Sequence, residues 1–124
     1  MKICLSGPRG VIRLPARAIE QLELVISLQW EIEIGDENTG VDCRFQEELV
    51  TRQYSQVRVW HCGAAPRVNL GDWPTVQVPG SYTERDRRMC SAANFGLAVW
   101  DYRSPGTGRN VRQLGRRMRV IPLV

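Results

Sequence analysis

The chain has 124 residues, 43% of them hydrophobic and 24% charged, and a formal net charge of +4. That is the size of one domain with one core and the balance of an ordinary globular protein. No apolar run approaches the ~20 residues that span a bilayer, and Met1–Gly7 is too short for a secretory leader, so a cytoplasmic protein with no membrane partner is expected.

Lys2 to Ser6 is a short apolar run that stops at Gly7-Pro8-Arg9-Gly10, a strand and its turn. Leu14-Pro15 opens a helix to about Gln29, with proline in the tolerated first turn and Ala18, Leu22 and Val25 on one stripe. Glu31 to Ile34 alternates and ends at Gly35-Asp36, a second strand. Thr39-Gly40-Val41-Asp42 begins a second helix, with Thr39 as its cap and Asp42 at the capping-box position. Val57 to Trp60 is a third strand. From Gly63 to Gly80 the composition turns to Gly, Pro, Asn and Asp, a long loop with at most a short strand at Thr75–Val78. Thr83 to Ala93 is a third helix, and Phe95 to Trp100 a strand covered on both faces. Asp101 to Gly108 is a turn, Asn110 to Met118 a fourth helix and Arg119 to Val124 a closing strand. Alternation of this kind predicts a Rossmann-like three-layer α/β/α sandwich whose mostly parallel sheet has about five strands, over residues 1–124 as one domain.

Cys4, Cys43, Cys62 and Cys90 are widely spaced and His61 is the single histidine, so no metal site is expected. The cysteines read as small buried apolar residues. Lys2 is the one lysine beside sixteen arginines, nine of them between Arg85 and Arg119. A GC-rich genome accounts for the total. Bidentate recognition of anions is the functional alternative.

In an open parallel sheet, ligands collect beyond the carboxyl ends of the strands, where strand order reverses. Three strand ends carry suitable residues: Ser6-Gly7-Pro8-Arg9, Gly35-Asp36, and Trp100-Asp101 with Ser104-Pro105-Gly106-Thr107-Gly108. Small residues ahead of a helix let backbone N–H groups approach an anion. The same residues also suit a plain turn. Arg85 is either a phosphate clamp or part of a solvated Arg85-Asp86-Arg87-Arg88 turn. Asp86 is either a functional carboxylate or the reciprocal cap of Thr83. Asp36 and Asp42 could meet a ribose.

Taken together, these residues resemble the SLOG superfamily of Rossmann-like nucleotide-binding domains, which takes in the SMF/DprA proteins, the LOG phosphoribohydrolases and, nearby, the nucleoside 2-deoxyribosyltransferases. The likeness runs over nearly the whole chain. It rests on Ser6-Gly7 with Arg9; on Gly35-Asp36 followed by Gly40-Val41-Asp42; on Arg67, Asn69, Gly71 and Trp73; and on Arg85-Asp86 with Met89, then Trp100-Asp101, Ser104, Gly106-Thr107 and Asn110. The resemblance implies a nucleotide or ADP-ribose-like ligand, with Arg9, Arg85, Ser104 and Thr107 on phosphate. Asp36, Asp42 and Asp101 would then meet ribose or base, with Trp100 or Trp73 stacking. A homodimer is also implied, and no bound cofactor. Asn110 stands where the LOG motif has a glutamate, and an amide supplies neither a nucleophile nor a proton acceptor. A binding protein is therefore the first expectation. An enzyme acting at an N-glycosidic bond through Asp86 or Asp101 is the second, and nucleic-acid binding through the Arg109–Arg119 face the third.

Overall fold

The computed structural model describes residues 1–123. Its elements are β1 (Lys2–Ser6), α1 (Ala16–Ser27), β2 (Glu31–Gly35), α2 (Val41–Thr51), β3 (Val57–His61), β4 (Thr75–Gln77), α3 (Tyr82–Ser91), β5 (Phe95–Trp100), α4 (Pro105–Leu114), a 3-10 turn at Gly115–Arg117, and β6 (Met118–Pro122). The strands form one six-stranded sheet in the order β4-β3-β2-β1-β5-β6, parallel at every pairing. The expected α/β architecture is present, with one strand more than about five because the short run inside the long loop pairs with β3. Among the described residues, no helix is long and apolar enough to cross a membrane.

Right-handed crossovers sort the helices by face. Ala18, Leu22 and Val25 of α1 and Val41, Phe45 and Leu49 of α2 pack with Leu5, Ile32, Ile34, Val59, Leu97 and Val99 on one side. On the other, Met89 and Cys90 of α3 and Leu114 of α4 pack with Cys4, Trp60 and Ala98. The chain runs leftward from β1 through β4 and then jumps to β5 on the far side of β1. The reversal point of the sheet thus falls between β1 and β5.

Local expectations were corrected at three helix starts. α2 is entered through Gly40 at φ 86°, with no side-chain cap, so Thr39 does not serve. α3 is capped by Ser81, whose hydroxyl accepts from Glu84 N–H. Asp86 is therefore free of any capping role. α4 starts at Pro105, five positions before Asn110, because proline at N1 already has helical φ. Gly106 and Thr107 are consequently helical residues. The closing strand runs from Met118 to Pro122, and Val124 lies outside the described residues.

Three of the four cysteines are buried, and Cys62 is half-buried. Cys4 and Cys90 meet across the second core with their sulfurs 3.7 Å apart. That contact and burial push the Cys4 thiol far above its ordinary range, which leaves it inert as a nucleophile.

Candidate functional site

Beyond the carboxyl ends of β1, β2 and β5 lies a cleft of about 390 Å³. Its floor is Ser6-Gly7, one wall is the first turn of α4, and the other wall is α3 with Asp42 of α2. The polypeptide comes this close because of glycine. A Cβ on Gly7 would lie 2.5 Å from Val41, and one on Gly40 would collide with the Pro8 carbonyl. Glycine at both positions lets the β1 turn nest against the start of α2.

The α4 wall is the electropositive one. Pro105 has no N–H, and the first carbonyl-directed bond of the helix is Gly108 N–H to Ser104 O. The Ser104 hydroxyl is turned away, donating to Asp101 Oδ2 at 2.9 Å, so α4 has no side-chain cap. Among the described residues, the N–H groups of Gly106 and Thr107 have no hydrogen-bond partner, and both residues line the cleft. A Cβ at Gly106 would meet nothing closer than Arg109 Nη2 at 3.7 Å. Two flexible cations stand at the rim. Arg9 is 78% exposed and lies 3.7 Å from Glu37, while Arg109 reaches Thr83 Oγ1 at 3.3 Å.

The opposite wall is an ordered ionic network. Arg85 is buried and spans two carboxylates: Nη1 donates to Asp36 Oδ1 at 2.7 Å, and Nε and Nη2 donate to Asp86 Oδ1 at 3.1 and 2.8 Å. Asp36 also accepts from Arg67 Nη2 and from Arg67 N–H, each at 2.9 Å. The Tyr82 ring lies under both guanidinium groups, 4.2 Å from Arg67 and 5.1 Å from Arg85. Burial works to raise the Asp36 carboxyl, but the hydrogen bonds and charge of Arg67 and the charge of Arg85 outweigh it. Asp36 is held below the ordinary carboxylate range. Asp42 is the opposite case. Its Oδ2 accepts one long bond from Glu37 N–H at 3.4 Å, and burial pushes its carboxyl up to about 7 against the pull of Arg85 and with the push of Asp86.

Asn110, expected among the ligand contacts, is buried outside the cleft lining and ties α4 to β1 behind it. Its Nδ2 donates to Ser6 Oγ at 2.8 Å and approaches Asp86 Oδ2 at 3.5 Å.

The fold therefore brings Ser6, Gly7, Arg9, Asp42, Arg85, Asp86, Ser104, Gly106 and Thr107 to one cleft. It places the rest elsewhere. Gly35 lies behind Asp42 and Arg85, and Asp36 braces Arg85 from outside the lining. Trp100 donates to Ser104 O at 3.0 Å and packs on Tyr102 and Gly108, so it props the turn. Asp101 accepts from Arg103 N–H and Ser104 N–H, bonds that lower its carboxyl and shape the loop. Trp73 is buried in the first core with its indole N–H on Tyr54 O at 2.9 Å, far from any stacking role. Asn69 holds Trp73 by both backbone groups, and a Cβ on Gly71 would collide with its indole. The Arg67–Trp73 segment is thus a brace that delivers Arg67 to Asp36. Tyr82 and Glu37 escaped sequence reasoning, since neither belongs to a charge or glycine pattern that singles it out.

Among the described residues, no group of three or more His, Cys, Asp or Glu could hold a metal ion. No protein-family model, curated protein or solved structure matches the chain.

Proposed function

We propose that the protein binds a nucleotide or nucleotide derivative in this cleft, with its phosphate on the first turn of α4. One observation carries the reading: Gly106 and Thr107, whose backbone N–H groups have no partner, line a cleft at the reversal point of a parallel sheet. A helix N-terminus carries about half a positive charge and directed donors. Arg9 and Arg109 can swing from the rim onto the same anion. The carboxyl-rich wall, with Asp42 and Asp86, suits sugar hydroxyls. The resemblance to SLOG domains supports the same ligand class.

The test is titration calorimetry with ADP-ribose, adenosine monophosphate and adenosine. Saturable heat from the phosphorylated ligands and none from adenosine is expected. Equal or absent heat from all three would overturn the reading.

A second reading is hydrolysis or transfer at an N-glycosidic bond. What favours it is a carboxyl pair in one cleft, Asp86 held by Arg85 and Asp42 raised to about 7 by burial. Two carboxyls in one cleft are the usual base and acid of such chemistry. Asp42 would protonate the leaving base as the N-glycosidic bond breaks, while Asp86 takes the proton from the water or acceptor hydroxyl that bonds to the anomeric carbon, and exchange with solvent then resets both carboxyls. Release of free base from nucleosides or nucleoside monophosphates, read by chromatography and lost in Asp86→Asn, is the outcome expected of an enzyme.

A further inference from the structure

We propose that the trough between α1 and β6 is a docking site for an acidic amphipathic helix of a partner protein. It lies at the amino ends of the strands, opposite the cleft, and holds about 510 Å³.

α1 carries an inward apolar stripe and an outward stripe of mixed character. Ala18, Leu22 and Val25 face the core. Arg17, Gln21 and Leu24 with the C-cap residue Leu28 form the second, at steps of four, three and four, so that two leucines follow two polar residues along one side of the helix. Leu24 and Leu28 are 50% and 51% exposed. Both line the trough with Phe95 of β5 and Arg119 of β6. Among the described residues, α4 packs on one face of β5 and β6 through Leu114, while on the α1 face no helix lies over this end of the two strands.

Charge selects the occupant. Arg17, Arg116, Arg117 and Arg119 rim the trough, and none of them makes an ion pair among the described residues. Most other arginines of the chain have carboxylate partners. A pair of exposed leucines flanked by guanidinium groups that lack carboxylate partners complements a helix with leucines inward and glutamates at its borders. A second copy would set this basic rim against itself. A nucleic acid would meet leucines where it needs ring faces, because Trp30 and Phe95 stack on each other with centroids 5.3 Å apart.

The experiment uses a fluorescein-labelled peptide of about 16 residues, roughly 24 Å of helix, with leucines at the seam and glutamates beside it. A matched peptide has lysines in place of the glutamates. Anisotropy at physiological salt is expected to show the glutamate peptide binding at least about tenfold more tightly. Arg17→Glu with Arg119→Glu reverses that preference, and Leu24→Ser weakens both peptides. All three positions are exposed, so the variants should melt like the parent. Equal binding of the two peptides, or a preference unmoved by charge reversal, overturns the proposal. So does a single-stranded oligonucleotide that outcompetes the peptide, or a dimer in sedimentation that Leu24→Ser splits.

Discussion

Arg85 Nη1 and Asp36 Oδ1 stand 2.7 Å apart and join α3 to the end of β2 across 49 positions of chain. Asp36 is buried and answers two arginines. Removing it leaves the Arg85 guanidinium, itself buried, with one carboxylate instead of two. Asp36→Ala should cost about 3–5 kcal/mol, the penalty for breaking a buried pair. Urea unfolding at neutral pH measures it. Glu84→Gln breaks the exposed pairs with Arg87 and Arg88 and should leave the midpoint unmoved.

Asp42 sets a pH dependence. Its carboxyl is raised to about 7 in the fold from 3.8, chiefly by burial. Between those values the folded chain holds more protons than the unfolded one, so stability falls as pH rises from about 4 to 7 and is flat above. The full span is on the order of 4 kcal/mol. Arg85, Asp86 and Glu37 are the charged groups around it; the Arg85 charge and the Glu37 N–H oppose the rise. Asp42→Asn should flatten this limb of the stability profile. The same proton should favour anions in the cleft. ADP-ribose, whose pyrophosphate keeps its charge across this range, should bind more weakly as pH passes 7, and Asp42→Asn should abolish that trend.

Gly106→Asp tests the phosphate turn. The site has room for a side chain, so the fold should tolerate the substitution. A carboxylate at the N-terminus of α4 would then occupy the anion position itself. Calorimetric heat with ADP-ribose should vanish while the melting temperature holds or rises. Retained affinity would move the ligand elsewhere in the cleft.

The sheet was legible because its signals are local. Phe95–Trp100 is an unbroken apolar run, and the stripe Ala18, Leu22, Val25 has helical period. The helix starts were harder. Pro105 was hidden inside a stretch whose Ser, Pro and Gly also spell a turn, and Ser81 stood beside an equally good capping residue, Thr83. Site membership depended on contacts no short window contains. Nothing near Arg67 announces that Asn69 and Gly71 hold Trp73 so that Arg67 reaches Asp36. Trp100 and Asp101 sit at a strand end as ligand residues would, yet their polar atoms are spent on the turn itself.

Gly40→Ala should be among the costliest single-methyl additions. Gly40 has φ 86° and ψ −150°, a region nearly exclusive to glycine, and its new Cβ would strike the Pro8 carbonyl. Strain of roughly 1–3 kcal/mol is expected before the clash is counted. Gly80, also at positive φ but with open space around it, supplies the control: Gly80→Ala should show the strain alone in urea titrations.

Asn110→Asp separates the amide's structural duty from its charge. The amide donates to Ser6 Oγ and faces Asp86 Oδ2 at 3.5 Å. An isosteric carboxyl keeps the shape but sets a second negative charge against Asp86 in a buried corner. Its folded affinity for a proton must rise, so the variant should match the parent near pH 4 and lose stability as pH increases. The Ser6 hydroxyl can rotate to donate instead, which recovers one hydrogen bond and limits the loss to roughly 1–3 kcal/mol at pH 8. Adding Asp86→Asn should restore much of it by removing the opposing charge. Thermal melts of the two variants at both pH values decide the point, and a loss independent of pH would mean that the amide's geometry, not its neutrality, is what the site requires.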